Sequence, residues 1–272
     1  MAIKALCLAL TLACAVIAAP DTRIVGGTPT TIEDFPYIVA LVYWYPGPGI
    51  TIQRCVGGLI SSWHVLTTSF CFTGAVLSNM EVRAGSTNSL SGGVVVTIRE
   101  VIKHPDYQET PRVADIAVVV LESPLAITNT INILYLPPQS TYIPDGQSVK
   151  VVSWGFESEI GPQLETLKTI NLKKVPLEDC QAAYAEKDTV VIDDPVICAA
   201  EEGDVGTCRG DSGAPMVIDQ VVVGLSSYFQ DCGTDDYPDV FTRIDRYTDW
   251  IISVATAQYR NGTTVRVKPV SY

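Results

Sequence analysis

Three segments of the chain carry side chains able to do chemistry in concert. Gly210-Asp211-Ser212-Gly213-Ala214-Pro215 presents a serine between an aspartate and a glycine, and Asp115-Ile116-Ala117 presents a carboxylate ahead of an apolar run. The third, Val65-Leu66-Thr67-Thr68-Ser69-Phe70-Cys71, ends in an aromatic residue and a cysteine. Serine attacks an acyl carbon efficiently only beside a base, because its hydroxyl is hardly ionised at neutral pH. Histidine is the usual base, oriented by a carboxylate. The chain has two histidines, His64 and His104, and neither lies in these segments. Phe70 can neither accept nor donate a proton, so the chemistry these residues suggest lacks its base.

Side chains so distant in sequence need a rigid frame to meet. From Ile24 to about Asp245 the chain reads as short β-type runs broken by Gly, Pro, Asn and Asp. Examples are residues 37–42, 94–98, 116–121, 150–153, 216–218 and 221–225. Many short strands with frequent turn signals predict an all-β barrel or sandwich. No repeat with a period of about 20–50 residues is visible, which argues against a solenoid or propeller. One helix is predicted over 245–258, with Asp245 as its cap and Tyr247, Trp250, Ile251 and Val254 at helical spacing. The stretch 126–144 holds several prolines and no charge, and reads as a connector between two halves. The polar tail 259–272 is expected to fray or to lie on the surface.

A chain of 272 residues can bury one large core or two modest ones. An apolar fraction of 47% against 18% charged residues excludes a disordered protein. Residues 1–19 combine Lys4, an apolar stretch over 5–16 and small residues at Ala18 and Ala19, the layout of a secretory signal peptide too short for a lasting membrane span. No later stretch offers a span. Cys7 and Cys14 leave with the signal, and Cys55, Cys71, Cys180, Cys198, Cys208 and Cys232 remain. An even number in a secreted chain predicts disulfides, with the pairing open from sequence alone. The spacings lack the close pairs of zinc sites, so neither a metal nor another cofactor is expected. The formal charge of −12 argues against a nucleic-acid partner and suits a soluble extracellular protein.

The serine and aspartate segments resemble the motifs of chymotrypsin/trypsin-like serine proteases, and other blocks fall in that family's order. They are Phe35-Pro36-Tyr37, Cys55-Val56-Gly57-Gly58, Val82-Arg83-Ala84-Gly85-Ser86, His104-Pro105-Asp106-Tyr107, Ser153-Trp154-Gly155 and Tyr237-Pro238-Asp239-Val240. The resemblance covers nearly all of 24–256 and is nearest to invertebrate digestive members. It implies two perpendicular six-stranded β-barrels with the site in the cleft between them, and a C-terminal helix. It also implies disulfides Cys55–Cys71, Cys180–Cys198 and Cys208–Cys232. The implied layout is a signal peptide (1–19), a short activation propeptide (20–23), a peptidase domain (24–256, its barrels divided near 126–144) and a tail (257–272). Cutting after Arg23 by a trypsin-like activator would free an Ile24 ammonium to pair with Asp211, in the manner of family zymogens.

In the resembled family the residue before the first cysteine of the Val65–Cys71 run is the catalytic histidine, and here it is Phe70. Asp115 and Ser212 match the other two triad members, and Gly210 and Ser212 match the oxyanion-hole donors. His64 and His104 match positions that are structural or superficial in the family. Gly206, Ser227, Phe229 and Asp239 match the primary specificity pocket. There Gly206 stands where trypsins carry aspartate, Asp239 brings a charge from the other wall, and Phe229 narrows the mouth. Asp115, facing an aromatic ring, is expected to have its pKa raised by desolvation. Ala214, Ser153 and Tyr228 depart from the family pattern in smaller ways. Asn261-Gly262-Thr263 is a glycosylation sequon.

The resulting expectation is a secreted, catalytically inactive protease homologue acting by binding. Its partners would be protease inhibitors or other extracellular proteins besides the activating protease. The alternative is an active serine-type endopeptidase of digestive, chymotrypsin- or collagenase-like kind, with Phe70 bypassed or an artefact.

Overall fold

The computed structural model describes residues 25–257 and 264–272, apart from Glu157, Glu159, Pro162 and Leu164. The expected signal peptide and propeptide, Arg23, Ile24 and the Asn261 sequon lie outside the described residues. A short edge strand β1 (Thr28–Pro29) precedes the first barrel. That barrel comprises β2 (Ile38–Tyr45), β3 (Ile50–Ser61), β4 (His64–Thr67), β5 (Met80–Ala84), β6 (Val94–Lys103) and β7 (Ala117–Leu121), closed in the order β2-β3-β4-β7-β6-β5. The second barrel comprises β8 (Ser148–Ser153), β9 (Lys168–Val175), β10 (Val196–Ala200), β11 (Pro215–Ile218), β12 (Val221–Tyr228) and β13 (Asp239–Arg243). Its order is β9-β10-β13-β12-β11-β8, closed by β8 pairing with β9, and β1 extends the β9 edge. All these ladders are antiparallel, and the expected all-β class with two six-stranded barrels is what the chain forms.

Strand β2 shows why the runs read as continuous apolar stretches. Its side chains alternate between faces, and both faces are buried. Val39, Leu41 and Tyr43 join a core made by the first barrel and its flanking loops, with Leu59, Val65, Val82 and Val119. Ile38, Ala40 and Val42 join a larger core that continues into the second barrel through Trp154, Met216, Leu225 and Phe241. Each such aliphatic side chain contributes about 1.5–3 kcal/mol by leaving water, and the larger core is common to both barrels. Within the stretch 126–144, the Leu134 N–H donates to Leu59 O at 2.7 Å and the Tyr135 N–H to Gln220 O at 3.0 Å, which ties the segment to both barrels.

Among the described residues, two α-helices, α1 (Leu177–Ala183) and α2 (Thr248–Ala257), complete the framework. The C-terminal helix begins three residues later than its pattern predicts. Asp245 is not its cap, because its buried carboxylate accepts Arg243 Nε at 2.7 Å and Arg246 Nη1 at 3.1 Å. The described part of the tail, 264–272, lies largely exposed on the surface, as one of the two expectations had it, and is tied down there. Leu136 donates to Arg266 O and accepts from the Lys268 N–H, both at 2.9 Å, and Val265 and Val270 pack on the core. Apolar residues at intervals in a polar tail were the unread sign.

Candidate active site

Asp115 and Phe70 are delivered to one place by strand pairing. In the β4–β7 ladder Thr67 lies opposite Ala117, so the turn after β4 and the residues before β7 emerge side by side. Phe70 sits on a 3₁₀ turn, Ser69–Phe72, held by the Cys55–Cys71 disulfide and by Ser69 Oγ donating to Ile116 O at 2.7 Å. Ala114 has φ +45°, a left-handed conformation that a side chain disfavours. Asp115 follows it and is 2% exposed. Its Oδ1 accepts the Phe70 N–H at 2.8 Å, and its Oδ2 accepts Ser227 Oγ at 2.7 Å and Arg112 Nη1 at 3.2 Å. Burial pushes this carboxyl above its ordinary value, and the Arg112 charge and the three donors offset part of the rise.

Arg112 is the residue that sequence reasoning missed. Its guanidinium lies 4.0 Å from the Phe70 ring centroid and also donates to Ser227 O at 3.1 Å. Its backbone is clamped by a segment preceding β10: the Arg112 N–H donates to Thr189 O at 2.9 Å, and its carbonyl accepts the Val191 N–H at 3.4 Å. A cavity of about 60 Å³ lies against it, lined by Asp115, Val190, Asp193, Ser227 and Phe241 among others. A lone arginine three residues before an aspartate in a non-helical stretch carries no periodic signal, so only the fold reveals the pair.

Ser212 is half-buried, on the loop that enters β11. The loop is bound across the barrel junction by the Val56 N–H donating to Ser212 O at 2.9 Å. Gly213, at φ +82°, must be glycine, since a Cβ there would fall 2.2 Å from both Val56 O and Thr67 Oγ1. Among the described residues neither the Gly210 nor the Ser212 N–H is taken by a backbone carbonyl. The Gly210 carbonyl accepts Gln53 Nε2 at 2.7 Å, while the same nitrogen donates to Cys55 O at 2.8 Å. Gln163 Nε2 in turn donates to Gln53 O and Oε1. This amide chain was not foreseen either, because its members are spread over strand β3 and two separate loops.

Asp211, between Gly210 and Ser212, is fully buried. It accepts the Gly155 N–H at 2.9 Å and the Cys208 N–H at 2.8 Å. Gly155 permits the approach, because a Cβ there would lie 2.0 Å from Asp211 Oδ1. Burial pushes the Asp211 carboxyl up to about 6.

The residues read as pocket lining divide. Gly206 and Asp239 do meet: a Cβ on Gly206 would be 3.1 Å from Asp239 Oδ2. Asp239 is 6% exposed, accepts the Thr207 N–H at 2.6 Å, and is pushed up to about 8 chiefly by burial. Ser227 instead directs its hydroxyl to Asp115. Phe229 is half-buried just beyond β12, in the loop that the Cys208–Cys232 disulfide joins to the Ser212 loop. The third disulfide, Cys180–Cys198, joins α1 to β10. Departures from the family pattern sit quietly: Ala214 and Ser153 are buried, and the Tyr228 hydroxyl bonds Thr189 Oγ1 at 2.8 Å.

Both histidines are engaged elsewhere. His64 is buried in the first barrel with Nδ1 2.8 Å from Ser61 Oγ, and burial lowers its pKa to about 4. His104 packs its ring on Tyr247 and Trp250, and burial lowers its pKa too. Among the described residues no cluster of histidine, cysteine and carboxylates could hold a metal ion, and no helix is long and apolar enough to cross a membrane.

Comparison with known proteins agrees with this geometry. The chain is 34% identical over 241 residues to "Trypsin, alkaline C" of Manduca sexta, covering 88% of this chain and 93% of that protein. It is 33% identical to "Trypsin alpha" of Drosophila melanogaster (87% and 89% covered) and 31% identical to "Trypsin 5G1" of Aedes aegypti (86% and 85%). The expectation of a catalytically inactive binding protein is corrected by these matches. It rested on Phe70 and the lack of a substitute histidine, with the altered pocket residues in support, whereas relatives aligned over nearly the whole length are trypsins, and nothing in the geometry of Ser212, Gly210 or Asp115 shows catalysis lost. The endopeptidase alternative is the better supported. The family model described as Trypsin matches residues 24–251, and the chain therefore belongs to the trypsin family.

Proposed function

We propose that the chain is a secreted serine endopeptidase of digestive type, with Ser212 attacking the peptide carbonyl. The Gly210 and Ser212 N–H groups receive the developing oxyanion. The observation that carries the reading is the seating of the nucleophile loop. Ser212 is bonded across to β3 through Val56, Gly210 is held by Gln53, and Asp211 is anchored on Gly155 and Cys208. Three disulfides and the apolar N-terminal stretch support export into an oxidising compartment. Cleavage after Arg23 by a trypsin-like protease generates the working form, with protease inhibitors as natural partners of its cleft.

Phe70 stands where the family places its base, so the Ser212 proton passes to water. Removing one triad member typically costs about 10⁶ in turnover, with roughly 10³–10⁴ over the uncatalysed rate surviving from the oxyanion hole and binding. The enzyme is therefore slow. Asp239 beside Gly206 supports a preference for a basic side chain N-terminal to the cut bond, because an entering cation would pair with an otherwise unpaired buried carboxyl.

The test uses the Arg23-cleaved protein on fluorogenic peptides ending in Arg, Lys, Phe or Leu, with a serine-directed phosphonate as a covalent probe. Slow turnover on the basic peptides that disappears in Ser212→Ala is expected, and Phe70→His should raise it by orders of magnitude. Turnover that persists unchanged in Ser212→Ala, or a phosphonate that never labels Ser212, would overturn the reading.

A further inference from the structure

We propose that Arg112 is a positioning residue of this site: its guanidinium makes, at Asp115 Oδ2, the contact that a ring N–H at position 70 would otherwise make. The carboxylate has three donors. The Phe70 N–H takes Oδ1, leaving Oδ2 to Ser227 Oγ and Arg112 Nη1. A carboxylate buried this deeply needs a cation or several donors to remain ionised. Arg112 is the only cation bonded to it among the described residues.

The guanidinium is built into place. Nη1 is shared between Asp115 Oδ2 and Ser227 O, Nε donates to Glu109 O at 3.3 Å, and the side chain is 11% exposed. Its separation of 4.0 Å from the Phe70 centroid is a close cation–π approach, favoured by the ring quadrupole and by the removal of water. An imidazole at position 70 offers a poorer face for that stacking and competes for Oδ2. The aromatic residue and the arginine thus form a matched pair around Asp115. Restoring a base at position 70 without releasing Arg112 leaves the new ring without its orienting bond.

The other titratable groups facing Asp115 are Tyr107 and Tyr247, both raised chiefly by burial, and Asp193 across the small cavity. The structural arm of the test follows the Asp115 carboxyl by ¹³C NMR in the wild type, Arg112→Gln and Arg112→Lys. Arg112→Gln should raise the titration midpoint by about one unit or more, and Arg112→Lys should recover part of that rise. Three coincident midpoints overturn the proposal. If Arg112→Gln does not fold, Arg112→Lys against the wild type carries the same decision.

The kinetic arm rests on the endopeptidase reading and compares Phe70→His with Phe70→His/Arg112→Thr. The double variant should exceed the single one in kcat by about tenfold or more, with KM little changed. A single variant as fast as the double overturns the proposal. Absence of turnover in every variant, with the Asp115 midpoint displaced as expected, sinks the endopeptidase reading and leaves the Arg112 assignment standing.

Discussion

Replacing Asp239 with asparagine should make the protein more stable in alkali and change it little in acid. The buried carboxyl accepts one backbone N–H, from Thr207, and no cation pairs with it among the described residues. Burial pushes it up to about 8 from an ordinary value of 3.8. Between those two values the folded chain keeps a proton that the unfolded chain has lost. Stability therefore falls as pH rises from about 4, and the loss is complete only above about 8. The difference, 8 minus 3.8, is about 4 units, and at roughly 1.36 kcal/mol per unit the full loss is on the order of 5 kcal/mol. That is a large share of the ~5–15 kcal/mol that ordinarily separates folded from unfolded protein.

Asparagine keeps the size of the side chain and an oxygen for the Thr207 N–H, but carries no charge. Unfolding free energies from urea titrations with the disulfides intact, from pH 3 to pH 9, should run close together for the two proteins below about pH 4. They should diverge by several kcal/mol in favour of Asp239→Asn at pH 9. Asp211, pushed up to about 6, titrates inside the same window but is present in both proteins, so it falls out of the difference to first order. In the wild type alone, benzamidine affinity should rise between pH 6 and 8, because the pocket must release its proton to pair with the amidinium. Parallel stability curves, or benzamidine affinity indifferent to pH, would refute the reasoning.

Two further substitutions test the seating of the Ser212 loop. Gly155→Ala places a Cβ 2.0 Å from Asp211 Oδ1 and should cost about 2–4 kcal/mol in urea unfolding through the displaced buried carboxylate; a loss below about 0.5 kcal/mol would show that the loop adjusts freely. Gln53→Leu strips the amide donor from Gly210 O and Cys55 O. It should cost about 1–3 kcal/mol and slow phosphonate labelling of Ser212. An unchanged labelling rate would separate Gln53 from the oxyanion loop.

The barrels were legible because their strands are short, β-branched and punctuated by turns, and because apolar runs buried on both faces look alike in any closed barrel. The boundaries of α2 were not. Asp245 has the chemistry of a cap, but two nearby arginines, Arg243 and Arg246, hold its carboxylate inside the protein. The tail lies largely on the surface, one of the two expectations, but its anchoring was not legible: Val265, Val267 and Val270 are too few to show a pattern, and the anchor is Leu136, which bonds the backbone of Arg266 and Lys268. Within the site, Asp115, Ser212, Gly210 and Asp211 were readable as motifs, since each lies in a contiguous block. Arg112, Gln53 and Gln163 were not, since their partners lie in other segments of the chain. Inactivity was inferred from Phe70 and the lack of a substitute histidine, with Phe229 and Asp239 in support, and comparison with trypsins spanning most of the chain corrected it.

By itself the sequence determined the class of fold, the serine and aspartate proposed as nucleophile and orienting carboxylate, the cysteines able to pair, and the presence of an aromatic ring where a proton acceptor is expected. These are properties of residue type and local spacing, which a linear chain displays. The tertiary structure decided what surrounds Asp115: a guanidinium stacked on that ring, a serine hydroxyl from β12 and a backbone N–H from the turn after β4. It also decided that, among the described residues, Asp239 is buried without a paired cation while Asp245 is buried with two arginines. Desolvation and charge pairing depend on distances between segments remote in sequence, and only closure of the two barrels sets those distances.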